Sequence, residues 1–242
     1  MLVHPAPARN GGLASSVTPT VSVIVPARNE EASLRACLES IVAQDGIDFE
    51  VIVVNDGSTD RTLDIAESFT GVQVIRSSAL KPGWSGKNNA AAAGASVARG
   101  EWLLFTDADT VHLPGSLSRA VAEAKVNGVA LLSYSPEQEV HGFWESAVMP
   151  VIFAELASRF RPADVSDPTS SVAAANGQYL LITRSAYDSV GGHEAIASSL
   201  LEDVALARAV KSSGRAIFFR YGGDSVRTRM YRSFGQLREG WT

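Results

Sequence analysis

VSVIVPARNEEASLRACLESIV, residues 21–42, passes from a short run rich in β-branched residues into apolar residues at helical spacing. Val21–Val25 read as a strand, and Leu34, Leu38, Ile41 and Val42 recur as one face of a helix. Asn29 stands where a helix cap is favoured, and Glu30 and Glu31 fall in a first turn, where the helix dipole favours acids. The stretch therefore predicts a strand feeding a helix.

Working outward, the same pattern repeats. FEVIVV (49–54) reads as a strand, NDGSTD as a turn, RTLDIAESF as a helix, and VQVIR (72–76) as a third strand. KNNAAAAGASVA (87–98) supplies the next helix, and EWLLFT (101–106) a fourth strand that runs into Asp107 and Asp109. Strands alternating with helices at this spacing predict the α/β class, with a mostly parallel sheet covered on both faces.

The second half is less regular. PGSLSRAVAEAKV reads as a helix, VALLSYS as a strand, and HGFWESAVMPVIFAELASRF (141–160) as a long helix kinked at Pro150. RPADVSDPTSS reads as a loop, GQYLLIT and RAIFFR as strands, and LLEDVALARAVKSSG as a helix ending at Gly214. The first twenty residues mix Pro, Gly, Ser and Thr and read as a loose tail, leaving residues 21–242 as one domain.

Composition narrows the classes. The chain of 242 residues is 45% hydrophobic, enough to bury a substantial core, and its net charge of -5 gives no global attraction to nucleic acid or anionic lipid. Its one cysteine, Cys37, excludes an internal disulfide and Cys-rich zinc patterns, which fits a reducing cytosol. No apolar run reaches the roughly 18 residues of a membrane span. The four histidines show no paired ligand spacing and are not assigned to a metal.

In an open parallel sheet, ligands bind beyond the carboxyl ends of the strands. PARNE, NDGSTD and TDADT all leave such ends and are expected to face one crevice. The first turn lacks G-x-G-x-x-G, and the chain has no P-loop. Asp107-x-Asp109 can offer hard oxygen ligands to Mg²⁺ or Mn²⁺, whose shell is completed by substrate phosphates; capping of the following turn is the other reading.

Six stretches in order carry a resemblance: VSVIVPARNEE, VIVVNDGSTDRT, GWSGKNNAAAAGA, WLLFTDADT, NGQYLLITRSAYDSVGG and LEDVALARAVK. From residue 21 to about residue 234 the chain resembles the family 2 inverting glycosyltransferases of GT-A fold. That resemblance implies that Pro26, Arg28 and Glu30 line a nucleotide pocket and that Asp56 contacts a uracil ring. It implies that Asp107 meets the ribose or donor sugar, that Asp109 binds the divalent ion bridging the diphosphate, and that Lys87 meets the phosphates. The family's base falls at Asp203, which would take the acceptor's proton and so invert the anomeric centre. Read alone, Asp56 can also be a turn residue, Lys87 a solvated helix start and Glu30 a first-turn acid, while an Asp at the position of Asp203 is usually a dipole-matched cap.

The GWSGK, GGH and RMYRS stretches are most similar to the hopanoid- and carotenoid-associated subgroup. A lipid or isoprenoid acceptor and a place at the cytoplasmic face of a membrane are what that likeness implies. Hydrophobic segments follow this point in the subgroup, so a chain halting at Gly240, Trp241 and Thr242 is expected to be either shortened or naturally shorter. Phe143, Trp144, Val148, Met149, Ile152 and Phe153 read either as a surface resting on lipid or as a core helix. The Q-x-x-R-W stretch of processive relatives is absent, while Arg229 and Arg232 read as diphosphate contacts or as a solvated basic face. Two further readings stay open: a nucleotidyltransferase, disfavoured by the lack of a Gly-rich basic loop at PARNEE, and a sugar-nucleotide binding module without turnover.

Overall fold

The computed structural model describes residues 18–138 and 160–228. Its first half alternates as β1 (Val21–Ala27), α1 (Leu34–Val42), β2 (Phe49–Asn55), α2 (Thr62–Glu67), β3 (Val72–Arg76), α3 (Gly86–Val97) and β4 (Trp102–Phe105). Then come β5 (Thr110–His112), α4 (Ser116–Val126), β6 (Leu131–Ser135), β7 (Glu137–Gln138) and α5 (Pro162–Ser166). The described chain finishes with β8 (Leu180–Thr183), α6 (Arg184–Ser189), α7 (Gly192–Ala195), α8 (Glu202–Ser212), β9 (Ile217–Tyr221) and β10 (Val226–Thr228).

Seven strands form the central sheet in the order β3-β2-β1-β4-β8-β6-β9. Every neighbouring pair is parallel except those made by β8, which runs antiparallel to both β4 and β6. The expected mostly parallel α/β sheet is what forms. The reversal of β8 sets Leu180 opposite Phe105, so the start of β8 lies at the carboxyl end of β4.

Side-chain alternation along the strands divides the core into two layers. Val23, Val25, Val53 and Leu104 face Leu34, Leu38 and Ile41 of α1 together with Leu117 and Val121 of α4. Ile24, Ile52, Leu103 and Ile182 face Ala90, Ala91 and Ala95 of α3 and Leu206 and Val210 of α8. The small residues of α3 let its backbone approach the sheet, since a Cβ at Gly94 would overlap Ile24 Cγ2. That closeness sets the start of α3 directly above the ends of β1 and β2.

Three local features differ from the sequence reading. Asn29 does not cap α1: it adopts a left-handed φ of 57°, and its Oδ1 accepts from the Thr59 backbone N–H at 2.9 Å. The side chain thus ties the first loop to the second, and α1 begins only at Leu34 after Ser33. The RPADVSDPTSS stretch, read as loop, contains α5, with Pro162 in its first turn where a missing N–H costs nothing. A second sheet, β5-β10-β7, was not foreseen.

Most of the expected helix over 141–160, including Phe143, Trp144, Val148, Met149, Ile152 and Phe153, lies outside the described residues. So do the tail before residue 18, Arg229 and Arg232. Among the described residues, no helix is long and apolar enough to cross a membrane.

Candidate active site

The loops leaving β1, β2 and β4 meet above the carboxyl edge of the sheet. The Asp56 N–H donates to Ala27 O at 2.9 Å, extending the β1–β2 ladder by one residue and fixing the acid at the edge. Asp56 Oδ1 accepts from Ser77 Oγ at 2.6 Å, and Oδ2 lies 3.8 Å from Arg28 Nη1. Glu30 receives Ser33 Oγ at 2.6 Å through its carboxylate and donates its backbone N–H to Thr62 Oγ1 at 2.7 Å. Ser77 had no assigned role in the sequence, because nothing local marks a partner 21 residues from Asp56.

After β4 the chain is held by Thr106, whose N–H donates to Ile24 O at 3.1 Å and whose Oγ1 donates to Gln178 O at 2.8 Å. Ala108 is buried and anchors the turn, leaving Asp107 and Asp109 partly open to the cleft. Burial, then the charges of Asp107 and Glu30, push the Asp109 carboxyl up to about 7. Its Oδ1 is buried and has no hydrogen-bond partner among the described residues. Gln178 Nε2 donates to Thr228 Oγ1 at 3.1 Å, and Thr228 Oγ1 in turn donates to Asp109 O at 3.4 Å, so β10 braces the turn from below.

Lys87 enters from the first turn of α3, a helix capped by Ser85 Oγ accepting from the Asn88 N–H at 3.1 Å. Its ammonium lies 2.8 Å from Asp107 Oδ1 and 2.9 Å from Glu202 Oε1. Burial opposes that charge, but the two carboxylates more than reverse the effect and hold its pKa above the ordinary lysine range.

Asp203 opens α8. Its Oδ2 accepts from the Gly177 N–H at 2.9 Å and its Oδ1 from the Val204 N–H at 2.7 Å. Burial and the neighbouring Glu202 raise its pKa, while the two N–H donors and Lys87 pull it back. An upward-shifted carboxylate with restrained geometry is a stronger proton acceptor than an unshifted one.

A cleft of about 370 Å³ is lined by Pro26, Arg28, Glu30, Asp56, Lys87, Asp107 and Asp109. A small recess of about 20 Å³ shares Pro26, Lys87 and Asp107 with it and is closed by Gly177, His193, Glu202 and Asp203. The eight residues Pro26, Arg28, Glu30, Asp56, Lys87, Asp107, Asp109 and Asp203 therefore border the cleft or the recess, which share three lining residues. Glu202, Gly177 and His193 join them without having been assigned roles. The NGQ and GGH stretches that contain two of these were noticed only as matching motifs.

His193 sits edge-on to Phe105 at 4.7 Å between ring centroids, with Nδ1 2.9 Å from the Tyr187 hydroxyl. Burial and the Lys87 charge lower its pKa to about 4, so it is neutral at physiological pH. His112 is buried with Nε2 3.1 Å from Thr106 Oγ1 and supports the turn from beneath. Among the described residues, no three His, Cys, Asp or Glu side chains close into a metal cage. A divalent ion here would draw much of its shell from ligand and water, as such ions commonly do.

Known proteins resemble this chain in sequence and in fold. 4,4'-Diaponeurosporenoate glycosyltransferases of Staphylococcus aureus are 31% identical over 229 residues, covering 92% of this chain and 60% of theirs. The chain thus spans about three-fifths of the length of those relatives. Among solved structures, a mannosyltransferase, PcManGT, from Pyrobaculum calidifontis in complex with GDP-Man and Mn²⁺ superposes with a TM-score of 0.67 at 21% identity, over 90% of this chain and 59% of that one. TarS of S. aureus in complex with UDP-GlcNAc gives a TM-score of 0.63 at 20% identity, over 90% and 60%. These two share the fold. The sequence profile described as glycosyl transferase family 2 matches residues 22–188, from β1 into α6 and through every loop that leaves β1, β2 and β4. With that span the chain belongs to glycosyl transferase family 2 and has the GT-A fold.

Proposed function

We propose that this chain performs metal-dependent, inverting transfer of a sugar from a nucleoside diphosphate sugar, with UDP as the nucleotide, to a hydroxyl of an apolar lipid acceptor. One juxtaposition carries the reading: Asp56, Lys87, Asp107 and Asp109 line a single cleft, and Asp203 closes the recess that shares Lys87 and Asp107 with it. The S. aureus 4,4'-diaponeurosporenoate glycosyltransferases suggest the carotenoid-type lipid class, and the UDP-GlcNAc and GDP-Man complexes of the structural neighbours suggest the donor class.

In this reading Pro26, Arg28 and Glu30 frame the nucleotide, and the Asp56 carboxylate accepts from the base. Asp107 binds donor hydroxyls, and Lys87 donates to diphosphate oxygens as a compact charge. Asp109 suits a divalent cation, because its buried Oδ1 has no partner among the described residues, and burial, then the charges of Asp107 and Glu30, disfavour its uncompensated negative charge. When bound, Mg²⁺ or Mn²⁺ supplies positive charge against the leaving diphosphate. Asp203 accepts the proton of the acceptor hydroxyl as its oxygen attacks the anomeric carbon. Direct attack from that side inverts the centre without an enzyme-linked sugar. The Gly177 and Val204 N–H groups keep the Asp203 carboxylate oriented toward the recess.

The test is a thermal-shift and calorimetric series with UDP- and GDP-sugars, with and without Mn²⁺, followed by nucleoside diphosphate release in the presence of a carotenoid-type acceptor. A ligand that binds the native state raises its melting temperature. The expected result is a Mn²⁺-dependent shift with a UDP-sugar and acceptor-dependent release of UDP. No shift with any nucleotide sugar would sink the proposal, and a shift without turnover would leave a binding module.

A further inference from the structure

Lys87 touches both halves of the site. Its Nζ lies 2.8 Å from Asp107 Oδ1, on the turn after β4, and 2.9 Å from Glu202 Oε1, in the first turn of α8. Neither carboxylate is well solvated, the Glu202 side chain being 15% exposed and that of Asp107 28%. Gly177 roofs the junction: a Cβ there would lie 3.2 Å from Lys87 Nζ, 3.5 Å from Glu202 Oε1 and 3.6 Å from Asp203 Oδ2. The ammonium is therefore confined between two acids, with the proposed base beside one of them.

An ammonium has three donors and no fixed fork, so it re-aims readily when a stronger anion arrives. The cleft that Lys87 lines continues toward Arg28 and Asp56, the region read above as the donor site. A diphosphate placed there carries more charge than Glu202 and draws on the same N–H groups. We infer that Glu202 is a positioning residue that holds Lys87 across the cleft while the donor is absent and releases it when the donor diphosphate enters. The inference rests on the donor site proposed above and adds a competitor for its lysine.

Two consequences follow from the geometry. Glu202 and the diphosphate compete for one cation, so the pair weakens donor binding by whatever it costs to break it. Once Lys87 turns to the phosphates, the Glu202 charge stands beside Asp203 without its nearest counter-charge, and Asp203 becomes a stronger base only when donor is present. The titratable groups facing this recess are Lys87 from α3, Asp107 from the turn after β4, His193 from α7 and Glu202 from α8. His193 is neutral there, and the turn before β8 contributes only the Gly177 N–H.

The experiment compares wild type, Glu202→Gln and Glu202→Asp by calorimetry with UDP and with a UDP-sugar, and by pH profiles of kcat. Glu202→Gln is expected to bind UDP roughly fivefold more tightly than wild type, the scale of one partly exposed ion pair. Its kcat should fall, and the acidic limb of its pH profile should move to lower pH. Glu202→Asp is too short to keep the ion pair but retains the charge, so it should tighten UDP binding and leave the acidic limb in place. Unchanged or weaker UDP binding by both variants, at unchanged melting temperature, overturns the inference. Should Glu202→Gln fail to fold, Glu202→Asp decides alone. Failure of wild type to bind any nucleotide overturns the donor-site reading itself, whereas binding that is indifferent to position 202 overturns only this one.

Discussion

A Cβ at position 86 would stand 2.7 Å from Asp56 Oδ2, so the first residue of α3 and the acid that follows β2 approach as closely as only glycine allows. Gly86 is not in the left-handed region, so the constraint is space and not backbone conformation. Asp56 cannot retreat freely, because Ser77 holds its other oxygen at 2.6 Å. Gly86→Ala is expected to displace the carboxylate and weaken UDP binding about tenfold, the scale of a hydrogen bond to a charged group. The melting temperature should stay within a few degrees. Calorimetry with UDP checks it, and unchanged affinity removes Asp56 from the nucleotide site.

Asp203→Asn preserves size and removes basicity. Turnover with a hydroxyl acceptor should fall by about 10²–10⁴-fold, the range for loss of a positioned base, with UDP-sugar affinity unchanged. A carboxylate acceptor arrives already deprotonated and needs no such base. Retention of turnover with a polyene carboxylate and loss with a polyene alcohol would therefore identify which acceptor chemistry Asp203 serves.

Asp109 makes a prediction about stability with a definite sign. Its folded pKa of about 7 lies above the ordinary 3.8, so the native state holds a proton that the unfolded chain gives up. The stabilisation is full below 3.8 and is lost as pH rises through about 7, where the buried carboxylate must ionise. Asp109→Asn removes that penalty. In metal-free buffer near pH 8 the variant should be more stable than wild type by on the order of 1–3 kcal/mol, allowing for partial solvation. The difference should close by about pH 4. Chemical denaturation at the two pH values measures it, and a less stable variant at the higher pH refutes the assignment.

Asn88 secures the approach to α8. Its Nδ2 lies 3.3 Å from Ile196 O, 3.0 Å from Ala197 O and 3.2 Å from Ser199 O, pinning the loop that precedes Glu202 and Asp203. Asn88→Ala leaves those half-buried carbonyls without this donor. It should cost on the order of 1–3 kcal/mol of stability and speed hydrogen exchange in residues 196–201. Turnover should drop more than donor affinity, because the loop carries the base side and not the nucleotide side.

The first half of the fold was legible because its β-branched runs and helical spacings coincide with its elements, and because the acids at strand ends have few structural reasons to be there. What escaped is non-local. Asn29 reads as a cap until Thr59 is folded onto it, and nothing near either residue announces that bond. β5, β7 and β10 are two or three residues long, too short for alternation to register. Pro162 does carry a helix-start signal, but Asp, Ser and a second Pro around it favour a loop on composition alone. Glu202 is adjacent to a singled-out aspartate, yet its partner is Lys87, and charge pairing across that separation has no local signature.

The reversed direction of β8 also divides the gene. Loops that depart from β1, β2 and β4 build the cleft proposed as the nucleotide side, and all of them are encoded before Thr110. The far wall of the recess comes from the turn that leads into β8 and from α7 and α8, all encoded after residue 175. If the proposed site holds, recombination between relatives at a crossover after β5 would pair one protein's nucleotide preference with another's choice of what is glycosylated, giving laboratory evolution a natural seam to cut.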